Sequence, residues 1–410
     1  MKSVSALAIA ASLAAAALAA AGPALAADKI VKIGVLNDMS GVYSDTAGVN
    51  SVLAAQMAIE DSGLAAKGWT ITVQSGDHQN KPDIGVNVTR QWFDVDGLDV
   101  VADVPNSGVA LAIAAVTREK NRIFLVSGAA SSELTGKSCS PNTVHWTYDT
   151  YALAHGTGTA LTKAGGDSWF FVTADYAFGK QLEKDTTEVV VANGGKVVGG
   201  VRAPLSTADF SSFLLQAQAS KAKVIGLANA GADTANSVKQ AHEFGITAGG
   251  QKLAALLTFI TDVHAIGLDI AQGLNLTDTF YWDMNDSTRA WTARYQPRTK
   301  NKAAPTMDQA GVYSSVLHYL KTLDAIGSNP HDGAVVVAKM KELPTDDPLF
   351  GKGSVRVDGR GMHPAFLWQV KTPAESKQPW DYYKLVATIP AEAAARPLAE
   401  SECPLVKKTN

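Results

Sequence analysis

Short apolar, β-branched runs alternate with stretches of helical periodicity along most of this chain, and each run stops at small or turn-forming residues. Lys29–Leu36, Trp69–Gln74, Leu98–Val104 and Phe124–Val126 are the first four such runs. Between them, Val49–Ser62 carries apolar residues at helical spacing and stops at Gly63. Asp83–Phe93 follows the turn Asp77-His78-Gln79-Asn80-Lys81-Pro82, and another helix begins at Val109. Strands separated by helices cannot pair as hairpins, so they join through crossovers and build a parallel sheet with helices on its faces. The pattern restarts after Val144–Thr150. It supplies strands at Ser168–Thr173, Lys196–Val201, Lys223–Leu227 and Lys252–Leu257, with a helix at Ser211–Ser220. A further strand is expected at Thr279–Trp282 and a long helix over Met307–Ile326. The tail changes character, because Phe350–Asp358, Ala365–Gln369 and Trp380–Ala387 read as antiparallel strands joined by polar turns. The fold class is α/β, two parallel-sheet units with a C-terminal β extension.

The N-terminus is a separate matter. Met1-Lys2, the Ala-rich apolar run Ala6–Ala21 and the site Ala24-Leu25-Ala26 form a cleavable export signal over 1–26. No Cys stands at that junction to take a lipid, and no later run is long enough to span a membrane. About 380 residues remain, room for two domains. The formal net charge of -3 includes Lys2, so the processed chain carries -4, the wrong sign for a nucleic-acid partner. With 46% hydrophobic and 18% charged residues the chain is a compact globule rather than a disordered one. Its two cysteines, Cys139 and Cys403, are an even count in an exported chain and are expected to form one disulfide. They lack metal-ligand spacing.

Ligands of parallel α/β sheets sit beyond the carboxyl ends of the strands. Three loops meet that edge: Asp38–Ser44, Pro105–Gly108 and Ser127–Ser132. In Phe124–Thr135 a short strand runs into Ser127, Gly128, Ala129, Ala130 and Ser131, which have almost no side chain, and then into polar residues suited to opening a helix. Bare N–H groups at such a place form an anion site; an ordinary strand-to-helix turn is the alternative. Nucleophile elbow, phosphate loop, H-E-x-x-H and His/Cys cluster are all absent from the sequence. Asp175, Asp209 and Asp233 read as caps or turn residues, and His78, His145 and His264 are scattered without partners at triad spacing. A two-unit exported chain of this kind points to binding rather than catalysis, with no metal and no cofactor.

The chain resembles the periplasmic substrate-binding proteins of ABC transporters, of the leucine/isoleucine/valine-binding type. The pieces that carry the resemblance are Ile33-Gly34 with Ser40-Gly41, Asp77 with Pro82, Ser127–Thr135, Asp175-Tyr176-Ala177-Phe178-Gly179 and Pro204–Phe210, in order over nearly the whole processed chain. The resemblance implies two lobes joined by three crossovers, 27–147 plus 278–348 and 148–277 plus 349–410. It implies a periplasmic monomer that closes on a small carboxylate-bearing molecule and delivers it to an ABC permease. The carboxylate donors would fall on Asn106 or Ser107 and on Gly128, Ala129, Ala130 and Ser131, with Ala130 lacking a hydroxyl that amino-acid binders often carry. Tyr176 would cover the ligand with Phe178 near it, and Tyr43 would wall the pocket. After Lys252–Leu257 the family's amino-acid binders place an acid for the ammonium. This chain has Thr258 there instead, and Asn229 where an aromatic is common. An aromatic or oxo acid is therefore favoured, its far polar group held by Asn229, Thr258 or Tyr281. The same resemblance leaves open a branched-chain or other amino acid, or a sensor of the same fold.

Overall fold

The computed structural model describes residues 28–407; the leader expected over 1–26 lies outside them. The first sheet is five-stranded and wholly parallel, in the order β2-β1-β3-β4-β5. Its strands are β1 (Ile30–Asn37), β2 (Thr70–Asp77), β3 (Val100–Asp103), β4 (Ile123–Val126) and β5 (Thr143–His145). β3 and β4 are buried at every residue. Helices cover both faces, which is why these strands read as continuous apolar runs. The second sheet is parallel too, in the order β7-β6-β8-β9, from β6 (Ser168–Ala174), β7 (Lys196–Ala203), β8 (Val224–Ala228) and β9 (Lys252–Ala255).

The expected strand at Thr279–Trp282 is not formed. The strand is β10 (Asn275–Asp278), and it pairs antiparallel with β14 (Ala365–Val370), which pairs in turn with β15 (Tyr383–Ile389). The aromatic residues Phe280, Tyr281 and Trp282 pack beyond it as an irregular segment. A small antiparallel sheet of β11 (Thr345–Asp347), β12 (Gly351–Val355) and β13 (Gly361–Met362) completes the C-terminal extension. The strand ends expected at Phe350, Asp358 and Trp380 therefore belong to turns.

Helix Gly48–Ser62 stops where Gly63 takes φ 66°, a left-handed conformation that costs glycine little. Helix Met307–Ile326 packs along it and against β3 and β4. Cys139 and Cys403 are bonded across 264 residues. Among the described residues no helix is long and apolar enough to cross a membrane.

Candidate ligand-binding site

The carboxyl ends of the two parallel sheets face one another across a closed cleft with about 10 Å³ of free volume, room for roughly one water. Tyr43, Thr46, Pro105, Gly128, Ala130, Tyr148 and Asp308 line it from the first sheet and its helix; Tyr176, Phe178, Ala230, Leu257 and Phe259 line it from the second.

The loop after β4 is held in an unusual way. His145 Nε2 meets the carbonyl of Ala129 at 2.7 Å, the Tyr148 hydroxyl donates to that of Gly128 at 2.7 Å, and the Thr150 N–H donates to that of Ala130 at 2.7 Å. The Thr147 hydroxyl takes the carbonyl of Ser127. Four successive carbonyls are thus occupied by one short segment, 145–150. The N–H groups of Gly128, Ala129 and Ala130 have no partner among the described residues, although all three residues are buried. Buried backbone donors are almost always paired, so three in a row form a set of free donors able to receive an anion. No α-helix follows: Ser132–Leu134 is a single 3-10 turn. The helix-terminus contribution expected from the sequence is absent, and the donors act as bare amides.

β3 ends in strain. Asp103 has φ 79° and Val104 φ 61°, a region that β-branched residues rarely enter, and the resulting turn brings Pro105 to the cavity. A Cβ on Gly128 would stand 2.8 Å from Pro105 Cα and 2.9 Å from Asp103 Oδ1. Only glycine fits there. Asn37 Nδ2 donates to the other oxygen of Asp103 at 2.5 Å, and burial raises that carboxyl to about 7.

Of the residues singled out in the sequence, Tyr43, Gly128, Ala130, Tyr176 and Phe178 line the cavity. The Tyr43 and Tyr176 hydroxyls meet across it at 2.5 Å. Asn106, Ser107 and Ser131 stand behind the loop. Asn106 caps helix Ser107–Glu119 by accepting from Gly108 and Val109 N–H. Ser107 Oγ accepts from Ser131 N–H at 3.2 Å, and Ser131 Oγ accepts from Glu133 N–H. Ala129 packs into the apolar core. Asn229 spends its amide on Thr234 and Ser237, Thr258 donates to the Ala255 carbonyl, and Tyr281 donates to Trp380, in the C-terminal sheet region. The structure does not bring these last three to the cavity.

Three polar residues of the cavity carried no signal in the sequence, Thr46, Tyr148 and Asp308. Asp308 lies in the first turn of helix Met307–Ile326, a place where an acid usually serves the helix dipole for about 0.3–1 kcal/mol. Here it is 1% exposed and neither carboxyl oxygen has a hydrogen-bond partner. Tyr148 is close enough to bear on it, but its one proton goes to Gly128. Burial, then the charge of Asp103, pushes the Asp308 carboxyl well above the usual range. An unsatisfied buried carboxyl costs on the order of 1–3 kcal/mol, more than a dipole contact returns.

The acids and histidines outside the cavity that the sequence brought into view are otherwise engaged. Asp175 pairs with Lys180, Asp209 accepts from Ser211 N–H and Asp233 from Ser206 N–H. His78 accepts from Asn80 N–H, and His264 meets the Tyr382 hydroxyl.

Residues 30–378 match the family model described as periplasmic binding protein. A periplasmic binding protein from Burkholderia mallei is 52% identical, with a TM-score of 0.89 over 92% of this chain and 100% of that one. A branched chain amino acid ABC transporter periplasmic ligand-binding protein from Burkholderia xenovorans LB400 is 40% identical, with a TM-score of 0.81 over 92% and 100%. A solute binding protein of an ABC transporter from R. palustris, solved in complex with 4-hydroxybenzoate, shares the fold at 23% identity, with a TM-score of 0.79 over 88% and 97%.

Proposed function

The chain belongs to the periplasmic binding protein family, and on that premise we propose that it is the periplasmic solute receptor of an ABC importer. It captures a small carboxylate-bearing molecule and hands it to the permease. Lobes 27–147 plus 278–348 and 148–277 plus 349–410 close on the ligand, whose contacts with both favour the closed arrangement. The observation that carries this reading is the loop after β4: four carbonyls held from one side, and the N–H groups of Gly128, Ala129 and Ala130 left to a ligand carboxylate.

Tyr43, Tyr148, Tyr176, Phe178 and Phe259 line the cavity and suit a flat ring or a compact branched body, so an aromatic or oxo acid is the first reading. Asp308 supports a second. Nothing acidic directly follows β9, but an acid reaches the cavity from another element, so an ammonium would not be desolvated without a partner. A branched-chain or similar amino acid therefore stands beside the simple acid.

A thermal-shift screen of ligand-stripped protein against aromatic acids, 2-oxo acids and branched-chain amino acids tests both. A true ligand at a hundred times its Kd adds about 2.7 kcal/mol of stability. A large shift with leucine and none with aromatic acids would select the second reading. Failure of every carboxylate would overturn both.

A further inference from the structure

We infer that Asp308 is a ligand-binding residue that accepts a hydrogen bond from an ammonium or hydroxyl group on the same small acid whose carboxylate sits on the Gly128–Ala130 amides. This rests on the carboxylate reading above and adds a second recognition point, one that selects for a donor.

The helix start that carries Asp308 is pinned. The Thr306 hydroxyl donates to the carbonyl of Thr46 at 2.6 Å, and Gln309 Nε2 donates to that of Ala47 at 3.2 Å. Thr306 and Gln309 also close a reciprocal cap, so the first turn is fixed against the loop that carries Tyr43. One turn later a Cβ on Gly311 would press on Thr147 and stand 3.2 Å from Ser127 Cβ. Helix and amide loop therefore touch, and Asp308 stands beside the donors.

Tyr148 joins the two ends of the site. Its hydroxyl serves the Gly128 carbonyl and leaves Asp308 without a donor. The titratable groups that bear on Asp308 are Tyr148, Asp103, Asp262 and Asp278, and none of them is a cation. A carboxylate ligand arriving alone would bring a negative charge beside these acids and leave Asp308 without a donor. A ligand that also carries a donor brings the group Asp308 lacks.

Calorimetry on wild-type protein and Asp308→Leu is the test, with two matched series as probes. One is leucine, its 2-hydroxy acid and 4-methylpentanoate; the other is 4-hydroxybenzoate and benzoate. In wild type, a donor-bearing member should bind at least about tenfold tighter than its donor-free counterpart, the worth of one hydrogen bond to a charged group. Asp308→Leu, which keeps the forked shape and removes both acceptor oxygens, should erase that gap. Which series shows the gap separates an ammonium from a hydroxyl. Equal wild-type binding of donor and donor-free members overturns the inference without any variant, and so does a gap that survives the substitution. If no carboxylate in either series binds wild type, the carboxylate reading falls and this inference falls with it.

Discussion

The two walls of the cavity are built from the same kind of element, the carboxyl edge of a parallel sheet, yet they differ in chemistry. The first wall is polar in its backbone and side chains: amides of Gly128–Ala130, the Tyr148 hydroxyl, Asp308. The second offers Phe178, Ala230, Leu257 and Phe259, with Tyr176 as its one hydroxyl-bearing side chain. On the proposed reading selectivity belongs to the first wall, whose loop carbonyls are held in place from behind. The second wall adds apolar burial, which strengthens binding without distinguishing ligands of similar shape. Direct contacts join the walls, among them Tyr43 with Tyr176, the Ala232 N–H with the Val42 carbonyl at 3.1 Å, and the Tyr148 ring edge-on to Phe259. Gly231 permits the Ala232 contact. It has φ 61°, and a Cβ there would strike the Val42 carbonyl oxygen.

The largest effect should come from breaking the first wall. Gly128→Val puts a branched side chain where even one carbon meets Pro105 backbone at 2.8 Å. The loop must move, and the amide set moves with it. Binding of every carboxylate should fall by about a hundredfold or more, read by calorimetry on protein whose circular dichroism remains native. Wild-type affinity in this variant would mean the carboxylate sits elsewhere.

A smaller and more uniform effect is expected from the second wall. Tyr176→Phe keeps the ring and removes the hydroxyl that meets Tyr43 at 2.5 Å. One neutral hydrogen bond is worth about 0.5–1.5 kcal/mol, so affinity should drop roughly threefold to tenfold for all ligands alike. A loss confined to one ligand class would show Tyr176 reading the ligand itself, and the division of labour between the walls would fail.

Much of this was legible in the sequence because parallel strands buried on both faces leave continuous apolar runs, as Ile123–Val126 does. β10 was not: three of the four residues of Asn275-Leu276-Thr277-Asp278 are polar, while the aromatic stretch just after it has the composition of a strand and forms none. The run of small residues in the amide loop was legible but not its role, since an ordinary strand-to-helix turn reads the same way, and only a single 3-10 turn follows it. Asp308 was hidden because a first-turn acid behind a Thr306 cap looks like a dipole partner until its orphaned oxygens are seen. Asn229 and Thr258 have suitable chemistry, but their bonding capacity goes to Thr234, Ser237 and Ala255, and such local competition carries no spacing signature.

The smallest effect concerns acids buried around the cavity, which should make stability depend on pH in a definite direction. Burial raises Asp278 to about 8 and Asp103 and Asp262 to about 7, from a usual 3.8, and pushes Asp308 well above the usual range too. Between 3.8 and those values the folded chain holds protons that the unfolded chain has lost, so stability falls as pH rises. Buried histidines oppose this at lower pH: His78 and His145 drop to about 4 and His363 to about 3, so their contribution grows with pH up to the usual 6.5 and is level above it. His331, whose value is raised by its Asp28 and Asp99 partners, acts in the same direction as the acids. From pH 6.5 to 8 the acids therefore dominate, each contributing at most about 1.4 kcal/mol per pH unit, and the Tm of ligand-stripped protein should decline across that window. Asp308→Asn should raise the Tm at pH 8 and flatten the decline, since it removes an unsatisfied buried carboxyl at the first wall. A Tm that is level or rising over this range would show that these carboxyls ionise in the folded protein at little cost, and the first wall would then carry less stored electrostatic tension than its geometry implies.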